Sequence, residues 1–137
     1  MNFNLTDEER ALQDTARKFA REVMRPKAAH CDEHSIFPKE IIAQAAELGL
    51  MNMTLPTEVG GNQISHTGQV LIAEELAWGC AGMATSMIAN DLALLPVVLF
   101  GTKEQKERLL GPFTRGFKLA SFGLTEPDAG SDVAGLT

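Results

Sequence analysis

Apolar residues Leu12, Ala16, Phe19, Ala20, Val23 and Met24 recur at spacings of three and four, with Asp14, Arg17, Lys18 and Arg21 between them. A helix turns about 100° per residue, so this spacing gathers the apolar set onto one stripe and predicts an amphipathic helix. Its start is a capping box. The Thr6 hydroxyl can accept from the Glu9 N–H while the Glu9 carboxylate reaches back, and Asp7 and Glu8 suit the positive end of the helix. Pro26 is expected to kink or interrupt the helix, with helical pattern resuming through Cys31.

Phe37-Pro38 opens a second helix with proline in its first turn, and Ile41, Ile42, Ala45 and Leu48 face inward until Gly49 caps it. Leu55 to Asn62 holds one proline, two glycines and an asparagine, and reads as a loop between helices. A third helix is expected over Ser65 to Trp78, and a fourth over Ala81 to about Phe100, bent by Pro96. Thr102-Lys103-Glu104-Gln105 is again a capping box, opening a short helix that Gly111-Pro112 stops.

The pattern then changes. Lys118 to Leu124 mixes apolar and small residues as a strand does, and Pro127, which has no ladder donor, must end it. The fold class expected is therefore mainly α: an all-helical bundle domain over residues 1–115, followed over residues 116–137 by the first strand and loop of an incomplete β-domain. A lone strand leaves its backbone groups without partners, so residues 119–137 are expected to be loose unless more chain or another molecule pairs with them.

A chain of 137 residues suits one ordinary domain. Its net charge of −6 offers no basic surplus to displace counterions from phosphates, which argues against nucleic acid and against a membrane surface. Cys31 and Cys80 have neither CxxC nor paired-ligand spacing, so no zinc site or disulfide framework is expected and a reducing compartment is the simpler reading. Met1-Asn2-Phe3-Asn4 leads directly into an acidic helix start, without the basic and apolar regions of a targeting segment. Ala81 to Phe100 is apolar enough to raise a transmembrane question, but Asn90, Asp91 and Pro96 interrupt it. A mid-span aspartate costs about 2.5–3.5 kcal/mol on insertion scales, so a buried helix without membrane insertion is expected.

The stretch with most chemistry is Leu124 to Asp132, LTEPDAGSD. Asp128, Gly130 and Ser131 are turn formers, glycine lets backbone press against a flat ligand, and the Thr125 and Ser131 hydroxyls can donate to an oxidised ring or an amide-bearing substrate. From pattern alone an ordinary strand-turn is the commoner reading. His30 and His34 could share a helix face, but no partner glutamate stands at metalloprotease spacing and a solvated helix end is preferred, so no metal site is expected. Glu74 and Glu75 point about 100° apart on a helix and read as surface or partner-facing. Gly60-Gly61 and Gly79-Cys80-Ala81-Gly82 match no phosphate-cradle motif. Met51, Met53, Met83 and Met87 could line a plastic acyl pocket, although core packing is the commoner use.

Taken together and in order, LTDEERALQDTARKFAREVMRPKAAHCDE, AELGLMNMTLPTEVGGN, IAEELAWGCAGM, Ala120-Ser121-Phe122-Gly123 and LTEPDAGSD resemble the acyl-CoA dehydrogenase family, with medium-chain, straight-chain members as the nearest likeness. The likeness runs over essentially the whole chain but reaches only the N-terminal helical domain and the start of the middle β-domain. It implies an FAD enzyme of fatty-acid β-oxidation that converts a fatty acyl-CoA to the trans-2-enoyl-CoA. It also implies a homotetramer, an electron-transfer flavoprotein as partner, and residence in a bacterial cytoplasm or mitochondrial matrix. By the same resemblance Phe122, Gly123, Leu124, Thr125, Glu126, Pro127, Asp128, Ala129, Gly130 and Ser131 form the flavin-contact segment. Within it Thr125 is the donor to the ring and Ser131 also the residue that hydrogen-bonds the CoA ester. Asp128 departs from the glycine or small residue of close relatives. The base is a glutamate of a C-terminal domain that nothing here matches, so no catalytic residue is nominated and the 137-residue chain alone is expected to be inactive. A helical interaction module and a truncation product without function are the other readings.

Overall fold

A computed structural model describes residues 4–137. The opening on which the absence of a targeting segment was read therefore lies, but for Asn4, outside the described residues. Six α-helices follow: α1 Asp7–Phe19, α2 Arg25–Glu33, α3 Lys39–Glu47, α4 His66–Gly79, α5 Ala81–Phe100 and α6 Lys103–Thr114. The helices pack as the apolar stripes require, with α1 along α4, α4 against α5, α5 against α6, and α3 touching α5.

Both capping boxes form. Glu9 N–H donates to Thr6 Oγ1 and Thr6 N–H to Glu9 Oε2, and Thr102 and Gln105 repeat the exchange at α6. Gly49 ends the α3 segment at φ +73°, a left-handed conformation that disfavours a side chain. Pro38 is the residue before α3 rather than part of its first turn.

Before Pro26 the α-helix is interrupted by a π-turn, and helix resumes beyond it through Cys31 as expected. Ala20–Met24 widens into a π-turn in which Arg25 N–H donates to Ala20 O, and the chain passes through it directly into α2. The wide turn absorbs the missing proline N–H and its ring while keeping Ala20 and Met24 fully buried. Gly79 of α4 meets the same turn, where an added Cβ would lie 2.9 Å from Ala20 Cβ, so the two helices need glycine to approach this closely.

Gly111-Pro112 does not stop α6, which continues to Thr114. Leu110 is fully buried, and the Thr114 hydroxyl donates toward Val59 O at 2.9 Å and Gly111 O at 3.0 Å, so tertiary anchoring outweighs the lost helical hydrogen bond. The loop at 55–62 includes a short 3₁₀ turn, Thr57–Val59.

Two apolar clusters hold the bundle. The larger joins Ala16, Phe19, Ala20 and Met24 to Ile42, Ile72, Leu76, Met83 and Met87, and the smaller joins Leu55, Leu94 and Leu110 with Ala120 against its edge. Each fully buried large side chain contributes about 1.5–3 kcal/mol of transfer free energy. Helix α5 is buried on one face only: Met83, Met87 and Leu94 turn inward, whereas Leu92, Leu99 and Phe100 are exposed.

The expected strand over 118–124 is not formed, and no strand exists among the described residues. The segment leaves α6 without regular structure because no neighbouring strand is present to pair with it. The fold is the helical domain with an unpaired C-terminal extension.

Candidate functional site

The loop that carries the candidate chemistry is rooted by a buried side chain on α5. Asn90 Oδ1 accepts from Ala120 N–H at 2.6 Å, and Asn90 Nδ2 lies 3.3 Å from Lys118 O and 2.6 Å from Asn52 Oδ1. Beyond this root Phe122, Gly123, Leu124 and Thr125 are exposed. The chain then hooks back: Glu126 and Ala129 exchange backbone hydrogen bonds of 2.9 and 3.2 Å around Pro127 and Asp128, which occupy the turn corners. Ala129 is buried, Asp132 caps the 3₁₀ turn Val133–Gly135, and Thr137 N–H returns to Glu126 Oε2 at 3.2 Å.

Within this hook the Thr125 and Ser131 hydroxyls are exposed and make no hydrogen bond to any described residue. They do not satisfy the turn backbone, as hydroxyls with a purely local role would. A Cβ added at Gly123 or Gly130 would meet nothing within 4 Å, so the backbone there stands open. Phe122 and Leu124, each a little over 40% exposed, supply apolar surface beside it. An open backbone, apolar flanks and two unengaged hydroxyls fit a flat, polar-edged ring. Asp128 sits exposed at the turn corner and adds charge without occupying either hydroxyl.

The other candidates resolve into scaffold. His34 Nδ1 lies 3.0 Å from His30 O at the end of α2, and no cluster of three metal-ligating side chains exists among the described residues. Met51, Met53, Met83 and Met87 are all buried in the larger cluster, packing as core. Cys31 and Cys80 are free thiols, both bordering a cleft beside Phe37.

Glu75 corrects the expectation of a surface or partner-facing pair. Glu74 is exposed, but Glu75 is buried, and its Oε1 accepts from Arg17 Nε at 3.1 Å and Nη2 at 2.5 Å. The hydrogen bond and charge of Glu75 raise the pKa of the Arg17 guanidinium. Glu75 therefore ties α4 to α1.

Asn90 and Asp91 were read from sequence only as interruptions of an apolar run. In the fold both are buried polar anchors: Asp91 Oδ1 accepts from Thr54 N–H and Oγ1, each at 2.8 Å, while Asp91 Oδ2 is buried without a partner among the described residues. The available signal was two polar residues within an apolar helix, which by itself names no partner.

Residues 6–117 match the family described as acyl-CoA dehydrogenase, N-terminal domain. The Caenorhabditis briggsae protein named "Probable medium-chain specific acyl-CoA dehydrogenase 2, mitochondrial" is 41% identical over 136 residues, covering 99% of this chain and 33% of that protein. Butyryl-CoA dehydrogenase from Megasphaera elsdenii superposes with a TM-score of 0.89 at 35% identity, covering all of this chain and 37% of that one. An acyl-CoA dehydrogenase from Bacillus anthracis, solved in complex with FAD, gives a TM-score of 0.86 at 32% identity, covering 97% of this chain and 23% of that one. The chain thus spans about a third of the length of the curated relative it matches.

Proposed function

This chain belongs to the acyl-CoA dehydrogenase family, and we propose that it is the N-terminal part of an FAD-dependent enzyme that dehydrogenates fatty acyl-CoA thioesters in β-oxidation. The observation that carries the reading is the 122–131 hook, with Thr125 and Ser131 unengaged beside the open backbone of Gly123 and Gly130. In this reading residues 116–137 open a β-domain that the remaining protein completes. The exposed outer face of α5, with Leu92, Leu99 and Phe100, is then covered by that further chain.

FAD, when bound, supplies the acceptor for the hydride that leaves the β-carbon as the α-proton goes to a base. The residues of this chain bind and orient. The Thr125 hydroxyl would donate to the ring edge, where a donor favours the electron-rich state of the cofactor, and the Ser131 hydroxyl would donate to the CoA ester. Phe122 and Leu124 supply apolar contact that limits water at the site.

The base is not among these residues. A general base must lie within hydrogen-bond reach of the proton it takes. Glu74 and Glu75 stand on α4, in the helical bundle rather than in the hook, and Glu126 gives one oxygen to Thr137 N–H; in this reading the base comes from the further protein. The isolated chain is accordingly inactive, and the full-length protein forms a tetramer that passes electrons to an electron-transfer flavoprotein in a bacterial cytoplasm or mitochondrial matrix.

The test is to purify the full-length protein and the 137-residue chain separately. The full-length protein should carry FAD and reduce a dye only when an acyl-CoA is supplied, whereas the isolated chain should give no turnover. A colourless full-length protein that cannot be reconstituted with FAD, or turnover by the isolated chain, contradicts the proposal.

A further inference from the structure

Asn90 has 0% of its surface exposed, and its amide orientation is fixed by what surrounds it. A backbone N–H can only donate, so the atom facing Ala120 N–H must be Oδ1, and Nδ2 is left to donate to Lys118 O and Asn52 Oδ1. The carbonyl of one residue and the N–H two residues later are the groups that a single residue of a parallel strand engages on its neighbour. The Asn90 side chain takes that residue's place across 118–120, where no strand is available. Asn52 steadies the clamp from behind, at φ +55° and with its Nδ2 donating to Phe113 O at 3.3 Å.

We propose that Asn90 is a positioning residue for the 122–131 hook: it fixes the place and angle at which the run into the loop leaves α5, and through that the placement of Thr125 at the flavin. The inference rests on the flavin reading of the loop. The lever is long enough to matter: once 116–137 is paired into the β-domain of that reading, five residues from Ala120 to Thr125 span about 17 Å, and a tilt of about 10° at the root would move the hydroxyl by about 3 Å. A hydrogen bond does not survive such a displacement.

The test uses the full-length holoprotein with Asn90→Asp and the control Arg17→Met. Asn90→Asp keeps the shape and the acceptor for Ala120 N–H but turns an oxygen toward two acceptors. Arg17→Met breaks the ion pair that ties α1 to Glu75 on α4 and removes no hydrogen bond to Asn52, Asn90 or 118–120. Four quantities are read: FAD dissociation constant, flavin absorption spectrum, exchange rate of the Ala120 amide, and Tm. Asn90→Asp should weaken FAD and accelerate Ala120 exchange each about tenfold, on the scale of one or two lost hydrogen bonds, with a shifted flavin spectrum. Arg17→Met should lower Tm while leaving FAD affinity within about twofold.

The proposal is overturned if Asn90→Asp lowers Tm alone, or if Arg17→Met weakens FAD as much, since general loosening of the core then explains both. If the aspartate variant does not fold, Asn90→Ser, too short to bridge to Ala120 and without a buried charge, is read in the same way. Thr125→Val separates the two layers of the claim. If it perturbs the flavin and neither Asn90 variant does, the clamp is overturned and the loop reading stands. If it leaves the flavin unchanged while Asn90→Asp loosens FAD, the Thr125 assignment fails and the clamp stands.

Discussion

Arg17→Met should be among the more damaging single changes at a partly exposed position of this chain, because of the carboxylate it strands. Glu75 has a side chain 11% exposed and gives one oxygen to two Arg17 nitrogens, while the Arg17 side chain is 40% exposed. Removing the guanidinium leaves a nearly buried charge without its donors, a loss of about 1.5–3 kcal/mol for hydrogen bonds to a charged group. Partial access of water through the Arg17 side keeps the cost below the upper range for fully buried pairs. At about 3–5 °C per kcal/mol for a domain of this size, Tm should fall by roughly 5–15 °C. Urea unfolding of the 137-residue chain, run as a double-mutant cycle with Glu75→Leu, measures the coupling directly. The double variant should recover to within about 1 kcal/mol of wild type, since no stranded charge remains. A cost below about 0.5 kcal/mol for Arg17→Met, or a double variant that loses the sum of the single losses, refutes the reasoning.

Amide exchange in the isolated chain should be fast over 121–125 and slower at Ala120 and Ala129, whose N–H groups are bonded to Asn90 Oδ1 and Glu126 O. Protection of the whole 119–137 segment equal to that of Leu12 to Val23 contradicts the picture of an unpaired extension. Acid should weaken the α1 cap, because hydrogen bonds from Thr6 hold the Glu9 carboxyl below its ordinary 4.5. A depressed folded pKa means stability that is present above pH 4.5 and lost as pH falls through the folded value. The Tm gap between wild type and Glu9→Gln at neutral pH should therefore narrow in acid, and a gap that stays constant excludes this linkage.

Local signals carried most of the fold. The capping boxes at Thr6 and Thr102 and the left-handed Gly49 each depend on residues within a few positions, so their outcome follows from short-range chemistry alone. The same local rules misjudged Pro112, where packing of Leu110 holds helix through a residue that would end it in isolation, and at Pro26 they gave the disturbance but not its form, a π-turn that keeps Met24 buried. Glu75 was misjudged because its partner lies 58 residues away on another helix. The hook of the candidate site was legible because its ten residues are contiguous. Its root was not, since Asn90 meets Lys118, Ala120 and Asn52 across separations of 28, 30 and 38 residues.

The measurement that bears most directly on the central claim is an anaerobic titration of the full-length protein with an acyl-CoA, followed at the flavin absorbance, for wild type, Thr125→Val and Ser131→Ala. One lost hydrogen bond to a charged group is worth about 1.5–3 kcal/mol, so Thr125→Val should slow or weaken flavin reduction roughly tenfold to hundredfold. Ser131→Ala should mainly lower acyl-CoA affinity. Neither change should cost the chain much stability, because neither hydroxyl is bonded within it. The contrary result is a lowered Tm in both variants with flavin spectrum, reduction rate and substrate affinity all equal to wild type; that would return both hydroxyls to the turn backbone and withdraw the site.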